Sequence, residues 1–220
     1  MSGEGDWLEP EEQRCRLLLA VSADALGPEQ DAVLGALLAR PEVAGLLLEA
    51  EKAEQTALAR WHDRCRTAAA ALLLVDAVEP VAAGLADGVH LRDWKRVPEV
   101  RGRLGEAALL GADCDLSRHA AMVAGENGAD YVMFGAQETA SEADAERTVE
   151  LCAWWSELFV LPCAAVIPPV PALAHRLARV GAGFLVVAPA LREAPAEAPE
   201  IVATLAAAIA AADGQGNGTS

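Results

Sequence analysis

Aromatic side chains are scarce in this sequence: Phe, Trp and Tyr make up 4% of 220 residues, while 53% are apolar. A core must therefore be built from Ala, Leu and Val, small aliphatic residues that fill parallel strands covered by helices on both faces. Cysteine is limited to five, an odd number scattered as Cys15, Cys65, Cys114, Cys152 and Cys163 with no CxxC pair. That pattern argues against a disulfide framework and a zinc knuckle, and it suits a reducing cytoplasm. Positive charge is short as well, with 17 Lys and Arg against 33 Asp and Glu and a formal net charge of −16. No basic stripe is present to release phosphate counterions, so nucleic acid is not an expected partner. Long apolar runs are missing too. The longest, Ile201 to Ala212, is too short to span a bilayer, and no membrane association is expected. Met1 to Gln13 is acidic and lacks a basic region followed by an apolar stretch, so it does not read as a signal peptide, and a cytoplasmic location is expected. No GxGxxG after a strand, Walker loop, GxSxG elbow or HExxH occurs.

What is present is alternation. Short apolar runs at Arg16–Ser22, Ala44–Glu49, Ala71–Val75, Gly88–Leu91, Ala107–Ala112, Tyr131–Gly135, Cys163–Ile167 and Phe184–Ala188 read as strands. Stretches of helical period follow them at Glu29–Ala39, Glu54–Ala68, Glu79–Ala83, Arg96–Leu104, Asp115–Glu126, Ala145–Leu158, Pro171–Val180 and Glu197–Ala212. Gly84, Gly128 and Gly181 each follow a helical stretch and suit left-handed caps. Parallel strands need crossover connections, so eight such units predict a single α/β domain, a (β/α)8 TIM barrel over residues 15–212; an open doubly wound sheet is the alternative. An acidic segment, 1–14, precedes it and a flexible polar tail, 213–220, follows.

In such a barrel the active site lies at the C-terminal ends of the strands. The residues at or just after these ends include Glu49 and Glu51, Asp76, Asp93 and Asp113, so four successive units end in carboxylates. Lys52, Arg92 and Lys95 lie on the neighbouring loops. If the carboxylates converge, the mouth is negative and favours a metal ion or a cationic ligand over a diphosphate. The competing role is local, because an Asp after a strand also caps the next helix or turn.

Val75 to Leu91, VDAVEPVAAGLADGVHL, resembles the third and fourth strands of the thiamine phosphate synthase and TenI-like family. Gly128 to Gly135, GADYVMFG, resembles its sixth strand, and Leu161 to Val166 with Val180 to Gly183 resembles its last two. The resemblance implies a Mg2+-dependent transferase of thiamine biosynthesis that joins a pyrimidine diphosphate to a thiazole phosphate and releases pyrophosphate. It places the first Mg2+-binding aspartate at Asp76 and the second at Lys95, with Asp93 nearby. The family's basic grip after the second strand falls on Leu47 to Glu51, where both charges are reversed, although Lys52 adjoins it. A family serine falls on Asp113. The sixth-strand loop has no match in AQETASEAD, and a TenI-like histidine falls on Ala136. The glycine pair that cradles phosphate falls on Ile167-Pro168, with Pro169 next, and proline has no N–H to donate. Pro189 removes a further donor after the eighth strand.

The expected function is therefore a divergent family member that lacks the usual phosphate grip. It would bind a small non-phosphorylated or cationic molecule through Glu49, Asp76, Asp93, Asp113, Lys52 and Lys95, with Mg2+ admitted at Asp76. An active synthase with a rebuilt site, and a non-catalytic structural or regulatory subunit, are the alternatives; a homo-oligomer is compatible with each. His90, after a buried-looking Val, reads as a packed histidine, and His62, His119 and His175 as surface residues. Cys114 and Cys163 read as small core residues. Trp154 and Trp155 cannot both face the core, so one marks either a subunit contact or a part-exposed Trp.

Overall fold

The computed structural model describes residues 14–25, 27–50, 53–135, 141–187 and 196–213. Eight strands run β1 (Arg16–Ser22), β2 (Val43–Glu49), β3 (Ala71–Val75), β4 (Gly88–Leu91), β5 (Leu109–Asp113), β6 (Tyr131–Phe134), β7 (Cys163–Val166) and β8 (Phe184–Val187). All neighbouring pairs are parallel, and β1 pairs with β8 to close the barrel in sequence order. The open-sheet alternative is excluded.

Helices α1 (Pro28–Leu38), α2 (Gln55–Thr67), α3 (Val78–Ala82), α4 (Val97–Leu104), α5 (Arg118–Glu126), α6 (Glu142–Leu158), α7 (Pro171–Arg179) and α8 (Ala198–Asp213) surround it. The strands read as unbroken aliphatic runs because both of their faces are buried. Leu17, Leu19, Leu46, Leu48, Leu72 and Leu74 point outward into the layer under the helices. Their alternates Leu18, Leu47, Leu73, Val75, Met133, Ala164 and Val186 fill the barrel interior.

Element starts moved where a cap or a backbone twist decides them. Strand β5 begins at Leu109, not Ala107, because Gly105 ends α4 at φ +70° and Ala108 O is held by Arg101. Asp113 is consequently the last residue of the strand, not the first beyond it. Helix α5 begins at Arg118, not Asp115, since Asp115 is left-handed at φ +48° and Ser117 caps the helix through Ala120 N. Helix α6 begins three residues early, at Glu142, where Ser141 and Asp144 form a reciprocal capping box.

The two Ala-Asp pairs of the family-like segments have a structural role. Asp87, just before β4, accepts Leu72 N of β3 at 2.7 Å; Asp130, just before β6, accepts Leu110 N of β5 at 2.7 Å. Each carboxylate satisfies a backbone donor at the start of the neighbouring strand, which explains an Asp at that place without invoking chemistry. His62 partners Asp87 at 3.1 Å and is half-buried, so the surface reading of that histidine is corrected. Trp155 is buried against Phe134 and Phe159, and Trp154 packs beside it under Arg118, whose guanidinium lies 4.6 Å from the ring. Both tryptophans thus belong to the α6 packing. No helix among the described residues is long and apolar enough to cross a membrane.

Candidate functional site at the barrel mouth

Inside the barrel, the register sets β4, β5 and β6 side by side with His90 opposite Gly111 and Gly111 opposite Tyr131, the first residue of β6. The missing side chain at Gly111 is what brings the other two together. A Cβ there would sit 2.1 Å from the Tyr131 ring, so the ring lies over the glycine and reaches across to β4. Tyr131 Oη and His90 Nδ1 are 2.9 Å apart, and the two rings stack. Burial holds the Tyr131 hydroxyl far above its ordinary value, assisted by Asp113, so it stays protonated. Burial, with Arg92 nearby, pushes the His90 imidazole down to about 3, so it stays neutral.

His90 is 2% exposed, and its Nε2 has no hydrogen-bond partner among the described residues. A neutral imidazole has one donor and one acceptor. The tautomer in which Nδ1 accepts from Tyr131 carries its proton on Nε2, and the other tautomer reverses both roles; in either, Nε2 is buried without a partner among the described residues. His90 lines a cavity of about 30 Å3 together with Ala20, Leu47, Glu49, Val75, Arg92, Met133 and Val186. The packed reading of His90 was right about burial and missed the open nitrogen.

A pH dependence follows from this histidine. Its folded value lies below the unfolded value of about 6.5, so acid favours the unfolded chain, which takes up the proton first. The stability held by a neutral His90 is complete above pH 6.5 and is lost as pH falls toward 3. Denaturant midpoints measured across that window should fall more steeply for the unmutated protein than for His90→Gln. Parallel slopes would show that His90 titrates freely in the fold.

The carboxylates do not converge. Glu49 ends β2, and Arg92 Nη2 donates to its Oε1 at 2.6 Å. Asp76 follows β3 in the left-handed region, φ +55°, and its backbone N donates to His90 O. That turn lays its carboxylate over the end of β4, where Oδ1 accepts Arg92 N at 3.2 Å and Arg96 Nη1 at 3.4 Å. Arg92 Nη1 lies 3.7 Å from Asp76 Oδ2. Asp93 is exposed and caps the short 3-10 turn Trp94–Arg96 through Lys95 N, so it plays the local role. Asp113 is buried and accepts Asp115 N at 3.0 Å. Lys95 Nζ lies 5.6 Å from the Trp94 ring. Lys52, Glu51, Ala136 to Glu138 and Pro189 fall outside the described residues.

Among the described residues, Arg92 and Arg96 pair with two of the carboxylates expected to make the mouth negative, Glu49 and Asp76. Arg96 was not foreseen because helical period assigned it to a helix, and the 3-10 turn is what swings it toward the rim. Mg2+ has one candidate ligand, Asp76, with both oxygens already facing guanidinium groups. Among the described residues no three His, Cys, Asp or Glu side chains gather in a way that holds a metal ion.

The segment after β7 offers no anion cradle. Ile167 N donates to Val186 O, Val170 N donates to Pro168 O at 2.7 Å, and Pro168, Pro169 and Pro171 have no N–H. Every backbone position from Ile167 to Pro171 is thus spent or proline, and a phosphate placed there meets no donor. A wider depression of about 730 Å3 lies at the opposite end, between the starts of β3 to β5. Half of its lining residues are alanines, and that end of a barrel serves stability.

A family model described as thiamine monophosphate synthase matches residues 44–191. The thiamine-phosphate synthase of Rhodospirillum centenum (strain ATCC 51521 / SW) is 35% identical over 181 residues, covering 79% of this chain and 87% of that protein. That of Erythrobacter litoralis (strain HTCC2594) is 47% identical over 111 residues, 48% of this chain and 52% of that protein, so the match spans about half of its length. A thiamine phosphate pyrophosphorylase structure from Pyrococcus furiosus superposes with a TM-score of 0.69 at 19% identity, over 90% of this chain and 98% of that one, which bears on the fold alone.

Proposed function

We propose, from the premise that this chain belongs to the thiamine monophosphate synthase family, that its barrel mouth binds a small ring-bearing molecule without a diphosphate. The observation that carries this reading is the donor-free segment Ile167 to Pro171. A diphosphate needs convergent N–H groups or a divalent ion, and this segment offers no N–H group. What the mouth keeps is an apolar floor of Leu47, Val75, Met133 and Val186, with Glu49 and Arg92 at the rim and the unpartnered Nε2 of His90. In the tautomer with the proton on Nε2, a heteroaromatic nitrogen or a carbonyl oxygen would accept from it.

The second reading is an active synthase with a rebuilt site, favoured by the relatives of 35% and 47% identity that bear that name. It requires Arg92, Lys95 and Arg96, with Lys52, to take over the diphosphate, and Asp76 and Asp93 to recruit Mg2+.

A thermal-shift screen separates the two. The ligands are thiamine, thiamine phosphate, the unphosphorylated pyrimidine and thiazole halves, and pyrophosphate, each with and without Mg2+. The first reading expects an unphosphorylated ring compound near a hundredfold its Kd to raise Tm by roughly 5–10 °C, with no need for Mg2+. Stabilisation by pyrophosphate alone, and only with Mg2+, would establish the second reading.

A further inference from the structure

The cavity of about 30 Å3 has room for one or two waters and not for a ring. What narrows it is a contact across the rim. Arg92, at the end of β4, reaches back to Glu49, at the end of β2, and the two residues line the cavity together. Both side chains are nearly half exposed, at 47% and 44%, so the pair is an exposed ion pair that exchanges readily with solvent and solutes. The Arg92 fork is otherwise placed for recognition. Its backbone N and Nη1 lie against Asp76, leaving Nη2 to point at whatever anion sits beside the cavity.

We infer that Glu49 is an internal stand-in for a ligand carboxylate, and that Arg92 is the residue that recognises the carboxylate of a ring compound entering the barrel. This rests on the reading of the mouth as a ligand site. A guanidinium binds planar carboxylates and tetrahedral phosphates alike, so the neighbours decide between them. Exchanging Glu49 for a ligand carboxylate swaps one two-oxygen monoanion for another and leaves the local charge balanced. A phosphate monoester brings a second negative charge next to Asp76, and the Ile167 to Pro171 segment has no donor for its third oxygen. Release of Glu49 also widens the mouth, so the contact that sets the affinity is the one that opens the way to His90.

Three aromatic probes that differ in one group test this by calorimetric titration: benzoate, phenyl phosphate and benzylammonium. They are titrated into the intact unmutated chain, Glu49→Gln, Arg92→Gln and Arg92→Lys, each checked for an unchanged circular dichroism spectrum. Removing the internal competitor should strengthen benzoate binding by roughly fivefold in Glu49→Gln. Arg92→Gln should weaken it by at least about tenfold, and Arg92→Lys, which keeps the charge and loses the fork, should recover only part. Benzoate should bind the unmutated chain more tightly than phenyl phosphate does. Weaker or unchanged benzoate binding in Glu49→Gln overturns the stand-in role. Tighter binding of phenyl phosphate, tightest binding of benzylammonium, or no benzoate binding to any variant overturns the carboxylate assignment. Retention of His90-dependent binding of an uncharged ring, with none of these benzoate effects, would leave the mouth a ligand site and refute this inference alone.

Discussion

Arg101→Met is expected to lower the stability of the fold by about 3 kcal/mol, near the low end for breaking a buried charged pair. For a domain of this size that corresponds to a fall in Tm of roughly 6–12 °C. Arg101 is 9% exposed and makes four hydrogen bonds from one guanidinium. Its Nε donates to Gly128 O at 2.8 Å, Nη1 to Gly105 O and Ala108 O at 2.6 and 2.9 Å, and Nη2 to Asp130 at 2.6 Å. These acceptors lie at the end of α4, ahead of β5 and ahead of β6. Asp130 in turn holds Leu110 N, so one side chain ties three connections at the base of the barrel. Methionine fills much of the same volume, so the loss comes from carbonyls left without a donor and not from a cavity. Asp130 is 41% exposed and can be rehydrated, which keeps the effect near the low end. Calorimetric unfolding of the two proteins checks this; a loss below about 1 kcal/mol would mean that water replaces the guanidinium at all four contacts.

The barrel was legible in the sequence because its strands are buried on both faces and carry their signal in bare composition. Leucine runs such as Leu46-Leu47-Leu48 and Leu72-Leu73-Leu74 need no alternation to read as strands, and Gly and Pro mark the ends between them. The candidate site was legible only in part. Loss of donors at Pro168 and Pro169 follows from residue identity alone, and the structure added that Ile167 N and Val170 N are also engaged. The partners of Glu49 and Asp76 were not legible, because counting carboxylates along strand ends says nothing of what faces them. Arg96 comes from a 3-10 turn capped by Asp93, and Arg92 from the bend just before it. The open nitrogen of His90 was invisible for a similar reason. It depends on Gly111, two strands' register and the reach of Tyr131, and no local pattern encodes that conjunction.

The proposed function implies that this family member has lost its hold on a diphosphate. Removing one preorganised donor from such a site slows turnover by about 10²–10³-fold. Here Pro168 and Pro169 have no N–H, their neighbours Ile167 and Val170 have none to spare, and Glu49 adds a negative charge beside Arg92. Because donors that act as a unit do not add, the expected deficit is at least that of one donor, not the product of several. The direct measurement is the initial rate of pyrophosphate release from the pyrimidine diphosphate and the thiazole phosphate with Mg2+, run beside the Rhodospirillum centenum relative. The account expects release at least about 10²–10³-fold slower from this chain than from that protein. Release within about tenfold of the relative's rate would contradict it, and would place the diphosphate on Arg92 and Arg96 instead.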